Sequence, residues 1–250
     1  MRISVVTAVY NGASTIRDCL RSVSSQTHPD VEHVIVDGAS KDGTPDLVRG
    51  FPGRKGPFVS EPDKGLYDAL NKGFRMATGE AIGVLGADDA YESPDVLASV
   101  ARTLERTGAD SCYGDLLYVR RDDPSRVVRT WRSREYRPGM FRRGWMPPHP
   151  TFFARRGVYE KHGTFDTAFR IAADYELMLR LFERHRISTA YLPQVLVRMR
   201  LGGMSNTGVR AMLRKSSEDR RAWRVNGLPG GWGTILLKNV TKLPQFLGRP

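Results

Sequence analysis

Two adjacent aspartates, Asp88 and Asp89, close an apolar run that begins at Ala81. Neighbouring carboxylates repel one another unless a cation or hydrogen-bond donors offset their charge. Oxygen ligands of this kind suit Mg2+ or Mn2+, hard ions that keep several waters and share substrate phosphates. Asp37 closes an earlier apolar run, His33 to Val36, and Asn11-Gly12 follows a third, Ile3 to Val9. Asp-Gly and Asn-Gly pairs are also good turn formers, so any one of these loops reads equally well as an ordinary turn. Together they gather carboxylates and glycines at strand ends, which is where open α/β sheets bind ligands. A dinucleotide site would need G-x-G-x-x-G after the first strand. The chain has Thr7-Ala8-Val9-Tyr10-Asn11-Gly12 there, which excludes that class.

The elements that must carry these residues follow from apolar spacing. Ile3 to Val9 is expected as a buried strand. Ser14 is then placed to cap a helix whose stripe is Ile16, Cys19, Leu20 and Val23. A second strand over His33 to Val36 is followed by a helix around Leu47 and Val48, and a Pro/Gly-rich break spans residues 52–57. Phe58-Val59 starts a short third strand, and Tyr67 to Met76 a helix with Leu70, Phe74 and Ala77 on one side. Ala81 to Leu85 is the fourth strand. Pro94 suits the first turn of a helix running to about Arg106, and Ser111 to Val119 is a further strand. Alternating strands and helices imply an α/β fold with a mostly parallel sheet and helices on both faces. Residues 120–150, rich in Arg, Pro and aromatics, read as an extended excursion. A helix over Ile171 to Phe182 with Leu177, Met178 and Leu181 inward follows. A strand near Thr189 to Leu192 then precedes the turn at Gly202-Gly203.

The runs Val5-Val6-Thr7-Ala8-Val9-Tyr10-Asn11 and Val34-Ile35-Val36-Asp37-Gly38-Ala39-Ser40-Lys41-Asp42-Gly43-Thr44, followed by Asp88-Asp89, resemble the family-2 glycosyltransferases of the GT-A fold. The segment Ser60 to Gly73 looks like the subgroup that builds bacterial exopolysaccharide, capsule and lipid-linked glycans. The likeness runs in order over residues 1–205. It implies a GT-A type, Rossmann-like domain over 1–205, with a nucleotide-sugar half (1–110) and an acceptor half (111–205), and a basic helical tail over 206–250. It also implies an inverting transfer of sugar from a nucleotide-diphosphate-sugar donor to an acceptor hydroxyl on a lipid-linked or cell-surface glycan, with Mn2+ or Mg2+ as cofactor.

Roles follow residue by residue from the same resemblance. Thr7, Val9, Asn11 and Asp37 would cradle the nucleotide, with the Asp37 carboxylate accepting from base N–H groups. Asp68 and Asn71, in the helix after the third strand, join the donor contacts. Asp88 would bond the ribose or sugar, and Asp89 would hold the metal that bridges the diphosphate. His149, in Pro147-Pro148-His149-Pro150, matches a histidine near the metal or acceptor, although a structural or solvent-facing histidine fits as well. Asp174, in Ala173-Asp174-Tyr175-Glu176, would be the base that takes the acceptor proton, with Glu176 second. An aspartate there also suits the positive end of a helix. The stretch Arg200 to Ser205 resembles a loop that closes over the donor phosphates, where Arg198 or Arg200 would assist the leaving group. The chain departs from many members at two places. Leu70 stands before Asn71 where they carry arginine, leaving Lys72 or Lys64 as the nearby cation. Asp37-Gly38-Ala39-Ser40 has one carboxylate fewer than Asp-Asp-Gly-Ser.

Bulk composition bounds the alternatives. Lys and Arg number 39 against 27 Asp and Glu over 250 residues, for a formal net charge of +12. Such a surface attracts polyanions, so a basic nucleic-acid-binding protein is one rival. No RNP-type aromatic motif, zinc-finger spacing or basic zipper supports it, and nucleic acid is not expected. A nucleotidyltransferase that makes the nucleotide-sugar is a second rival, but residues 7–16 lack its glycine-rich loop and basic residue. Cys19 and Cys112 are far apart and fit a reducing setting. No signal-peptide pattern opens the chain, and no run reaches roughly 18 apolar residues. The expectation is therefore a cytoplasmic protein. The tail mixes Arg214, Lys215, Arg220, Arg221, Arg224, Lys238 and Lys242 with Trp223, Trp232, Ile235, Leu236, Leu237, Val240, Leu243 and Phe246. That mixture suits either an anionic membrane surface, peripheral on the inner face, or helices packed on the domain.

Overall fold

The computed structural model describes residues 1–202, 209–231, 233–235 and 237. β1 (Ile3–Val9), β2 (Val31–Asp37), β3 (Phe58–Ser60) and β4 (Ala81–Val84) form a parallel block in the order β3-β2-β1-β4. β1 and β2 are almost wholly buried, as expected of central strands covered on both faces. They pair in full register from Ile3↔Val31 to Val9↔Asp37, so their carboxyl ends lie side by side. β4 pairs with β1 up to Val6↔Val84.

Helices α1 (Ile16–Ser24), α2 (Thr44–Arg49) and α3 (Leu66–Met76) connect these strands. The α1 stripe is the expected one, with Ile16, Cys19, Leu20 and Val23 buried. The cap differs: Thr15 occupies the N-cap position, and no side chain caps the helix. α3 lies close on the sheet because Gly73 has no side chain. A Cβ there would stand 2.4 Å from Val6 Cγ1.

Beyond β4 the sheet becomes mixed, which refines the mostly parallel expectation. The strands β5 (Ala90–Tyr91), β6 (Ser111–Val119), β7 (Val127–Trp131), β8 (Phe153–Arg155) and β9 (Thr189–Arg200) complete nine strands in one sheet. β8 inserts antiparallel between β4 and β6, β9 runs parallel to β6, and β5 and β7 pair antiparallel at the margins. Glycine opens the way for β8, because a Cβ on Gly83 would lie 2.3 Å from the Phe153 ring. The excursion over 120–150 is more ordered than its composition suggests, holding β7 and a 3-10 turn at Phe141–Arg143. The strand expected near Thr189 to Leu192 continues to Arg200.

Helix α4 (Val96–Thr107) starts after Asp95 rather than at Pro94, and α5 (Arg156–His162) follows β8. The helix expected over Ile171 to Phe182 is α6 (Ala173–Leu179), which passes into a π-helical turn at Arg180–Arg184. The tail contributes α7 (Val209–Val225), which packs on α6. Ala222, Trp223 and Ile235 belong to the same continuous core as the sheet. Of the tail residues that suit either a membrane surface or packing on the domain, Trp223 and Ile235 are turned inward, while Leu237 is exposed. Gly203, Ser205 and Asn206, with Trp232, Leu236, Lys238, Val240, Lys242, Leu243 and Phe246, lie outside the described residues. Among the described residues no helix is long and apolar enough to cross a membrane.

Candidate active site

The paired ends of β1 and β2 bring two loops together. Gly38 N–H donates to the Val9 carbonyl at 2.9 Å, so Val9 contributes a buried, backbone-bonded strand end. Asn11 has φ +50°, a conformation asparagine tolerates better than most residues. Its N–H donates to Ser40 Oγ at 2.7 Å, and its Oδ1 accepts from Lys41 N–H at 3.0 Å. Asn11 thus laces the β1 loop to the β2 loop.

Thr7 and Asp37 are both fully buried at this edge, yet they differ in what they still need. The Thr7 hydroxyl donates to the Leu85 carbonyl at 2.9 Å, and so accepts from His33 Nε2 at 3.0 Å. It is satisfied within the protein. Thr7, expected to cradle the nucleotide, therefore makes its hydroxyl bonds to neighbouring chain. Asp37 Oδ2 accepts from Ser40 N–H at 3.0 Å and Ser60 Oγ–H at 2.6 Å, whereas Oδ1 is buried with no partner among the described residues. An unmet buried acceptor is costly and marks a place where a ligand's donor fits. Asp63 lies across the loop, since a Cβ on Gly38 would come within 2.5 Å of Asp63 Oδ2.

Two α3 residues expected at the donor are otherwise engaged. Asp68 Oδ2 accepts from Lys64 N–H at 3.0 Å, fastening the turn before α3. Asn71 exchanges two hydrogen bonds with the Phe165 backbone, at 2.8 and 3.1 Å. These bonds join α3 to neighbouring chain. Lys72 reaches Glu61 and the Pro62 carbonyl, each at 2.8 Å.

Asp88 and Asp89 follow β4 as predicted, and their surroundings separate them. Asp88 is partly exposed, with Oδ2 3.9 Å from Arg121 Nη1. Asp89 is buried, and burial together with the Asp88 charge pushes its carboxyl up to about 8. Arg200, at the end of β9, grips this loop from behind. Its N–H donates to Asp89 Oδ1 at 3.1 Å, its Nη1 to the Asp88 carbonyl at 2.8 Å, and its Nη2 to Asp18 Oδ2 at 2.6 Å. Arg200, expected at the donor phosphates, is buried and makes all three of these bonds. Arg198 is likewise paired, with Glu92.

The third group stands at the start of α6. Asp174 Oδ2 lies 3.2 Å from His149 Nδ1, and Asp174 Oδ1 lies 3.4 Å from the Tyr67 hydroxyl, which also donates to the Ile171 carbonyl at 2.8 Å. His149, expected near the metal or the acceptor, therefore stands beside the candidate base. Among the described residues no group of three His, Cys, Asp or Glu could hold a metal. Glu176, the alternative base, is buried and tied to Arg180 and to Asn226 Nδ2, both at 3.0 Å. It is structural. Burial raises the hydroxyl of Tyr118, in β6, above the usual tyrosine range, against the lowering charge of Arg129 and with smaller contributions from Asp89 and Asp174.

The tail braces this corner. Glu218 in α7 accepts N–H bonds from Arg170, Ile171 and Ala172, at 3.2, 2.9 and 2.9 Å, immediately before the first turn of α6. Trp223 Nε1 donates to the Tyr175 hydroxyl at 2.9 Å. No local sequence pattern announces this long-range cap. Tyr118 near the end of β6 and Arg121 just beyond it reach the same edge of the sheet, a position that the apolar run Ser111 to Val119 marks in the sequence.

Chemically, the edge offers a buried acceptor at Asp37, a carboxylate pair after β4 and a histidine-paired carboxylate on α6. The donor set of Asp88 and Asp89 fits a hard divalent cation. Asp89 is a buried carboxyl whose charge a cation would stabilise, and among the described residues too few protein ligands are present to replace the phosphates and waters such an ion keeps.

Residues 4–170 match the family described as Glycosyl transferase family 2. A PGL/p-HBAD biosynthesis glycosyltransferase of Mycobacterium tuberculosis is 32% identical over 217 residues, covering 82% of this chain and 79% of that protein. The crystal structure of S. aureus TarS in complex with UDP-GlcNAc superposes with a TM-score of 0.69 at 16% identity, covering 90% of this chain and 65% of that one. The mannosyltransferase PcManGT from Pyrobaculum calidifontis, in complex with GDP-Man and Mn2+, gives a TM-score of 0.67 at 22% identity, covering 96% and 68%.

Proposed function

The chain belongs to glycosyl transferase family 2, and from that premise we propose that it moves a sugar from a nucleoside-diphosphate-sugar to an acceptor hydroxyl with inversion, using Asp174 as the base. The observation that carries this reading is the carboxylate Asp174 at the start of α6, held 3.2 Å from His149, in a chain whose β4 is followed by the carboxylate pair Asp88-Asp89. Asp37 Oδ1 is the acceptor for a base N–H, and Asp88 orients the ribose or sugar. Asp89 would hold a divalent cation, Mn2+ or Mg2+, which supplies charge neutralisation for the departing nucleoside diphosphate. The acceptor oxygen forms its bond to the anomeric carbon as the bond to the diphosphate oxygen breaks. The hydroxyl proton passes to Asp174, whose other contact to His149 holds the carboxylate in place.

The name of the mycobacterial relative favours a lipid-linked or cell-surface glycan acceptor, and the ligands in the two solved complexes favour a nucleotide-sugar donor. An acceptor of that kind would bring the protein to the inner face of the membrane. The test is nucleoside diphosphate release over a panel of UDP- and GDP-sugars with added acceptor, with and without Mn2+. Asp174→Asn is expected to keep donor binding and lose transfer by about 10²–10⁴-fold. An Asp174→Asn protein that transfers at the wild-type rate would overturn the base assignment.

A further inference from the structure

A cleft of about 960 Å³ opens where the segment after β7 faces the start of β9. Arg134, Arg137, Arg142 and Arg143 line it, with Tyr191 and Pro193 on the β9 side. Glu135 is the one acid among the lining residues. No ion pair joins any of the four guanidinium groups to a carboxylate among the described residues. Four cations crowded around one concavity repel one another, and an anion seated between them removes that repulsion.

The arginines are mounted on a fixed frame. Glu183 accepts from Gly139 N–H at 3.0 Å and Phe141 N–H at 3.3 Å. The Tyr113 hydroxyl donates to the Arg134 carbonyl at 2.7 Å, and the Tyr136 hydroxyl to the Phe182 carbonyl at 3.1 Å. Phe141 is fully buried, with its ring between those of Trp145 and Phe182 at 5.8 Å each. A frame held this way spares the ordering cost that a loose arginine loop would incur on binding.

The cleft is also remote from the strand ends described above. In the β6–β9 register Tyr191 pairs with Tyr113, whereas Arg200, the clamp on Asp88 and Asp89, pairs with Val119. From Tyr191 to Arg200 the extended chain covers up to roughly 30 Å. We propose that this cleft is a second binding site, separate from the donor carboxylates, for a phosphate-bearing ligand. The planar guanidinium fork matches phosphate oxygens two at a time, which distinguishes arginines in a concavity from a merely basic surface. The phosphate is carried either by a soluble molecule or by a lipid headgroup.

Inorganic pyrophosphate in the presence of EDTA is the probe, with binding followed by calorimetry at low salt. Wild type and Asp89→Ala are expected to bind it equally, because the donor carboxylates take no part. The double variant R137Q/R142Q is expected to bind at least tenfold more weakly, and R75Q/R106Q, which removes the same charge from exposed positions on α3 and α4, as tightly as wild type. Binding of Mn2+ with nucleoside diphosphate to R137Q/R142Q confirms that the variant is folded. Flotation with vesicles of equal parts phosphatidylcholine and phosphatidylglycerol separates the sources. Vesicle capture that R137Q/R142Q loses, without pyrophosphate binding, assigns the site to headgroups. Pyrophosphate binding that R137Q/R142Q loses, without vesicle capture, assigns it to a soluble ligand. Absence of both in wild type overturns the site, as does loss of binding in R75Q/R106Q equal to that in R137Q/R142Q.

Discussion

At the scale of single residues, burial decides what each polar group is for. Asp89 is pushed up to about 8 by burial and by Asp88, so in the metal-free protein it holds a proton at neutral pH. A cation must displace that proton. Mn2+ affinity should therefore rise as pH increases towards about 8 and level off above it, with one proton released on binding. Titration of Mn2+ in buffers of different ionisation enthalpy reads the proton directly, and affinity flat with pH would remove Asp89 from the metal site. His33 is the opposite case. Buried beneath the site, its imidazole falls from an ordinary 6.5 to about 3, chiefly through burial. The unfolded chain binds a proton below about 6.5 and the folded chain only near 3, so stability drops as pH falls through that window, by on the order of 5 kcal/mol in all. Urea unfolding against pH should show His33→Gln flattening this acid limb. A limb identical to wild type would mean that His33 does not titrate this way. These carboxylate positions are legible in sequence because each aspartate ends an apolar run. The internal partners of Thr7, Asp68 and Asn71 are not, because sequence does not say whether a polar side chain near a site already has partners inside the protein.

At the scale of elements, the support for α6 comes from the far end of the chain. The helix is short, and the N–H groups before its first turn are capped by Glu218 while Trp223 holds Tyr175. Trp223→Ala removes a large, fully buried side chain and should cost about 3–5 kcal/mol. Glu218→Gln keeps the shape, weakens three charge-assisted bonds and should cost about 1–3 kcal/mol. In Glu218→Gln, transfer should fall with little change in donor affinity, since α6 carries Asp174 and not the donor carboxylates. Equal losses in donor binding and transfer would argue against a role confined to α6. The parallel block β3-β2-β1-β4 is legible from its apolar runs and helical spacing. β8 and the length of β9 are not, because short antiparallel pairing is decided by partners distant in sequence, such as Gly83 with Phe153.

At the scale of the whole molecule, one core runs from the sheet through α6 into α7 and on to Ile235. The described parts of domain and tail should therefore unfold together. A thermal melt followed by tryptophan fluorescence and by far-UV circular dichroism should give coincident midpoints and one calorimetric transition. A separate early transition abolished by Trp223→Ala would show that the tail melts on its own. The net charge of +12 was legible at once, but its distribution was not. Only the fold places Arg134, Arg137, Arg142 and Arg143 around one cleft, while Arg180, Arg198 and Arg200 are consumed by pairing inside the protein.

The Glu218 cap limits how this protein can be re-engineered. A basic C-terminal segment looks like an interchangeable address tag, to be trimmed for solubility or exchanged to send an enzyme to another surface. Here the same segment supplies part of the footing of the helix that carries Asp174. A graft joined before α7 replaces that footing along with the address, whereas one joined after Ile235 leaves both the cap and the Trp223 contact intact. The seam for domain shuffling therefore lies well beyond the point where the composition changes.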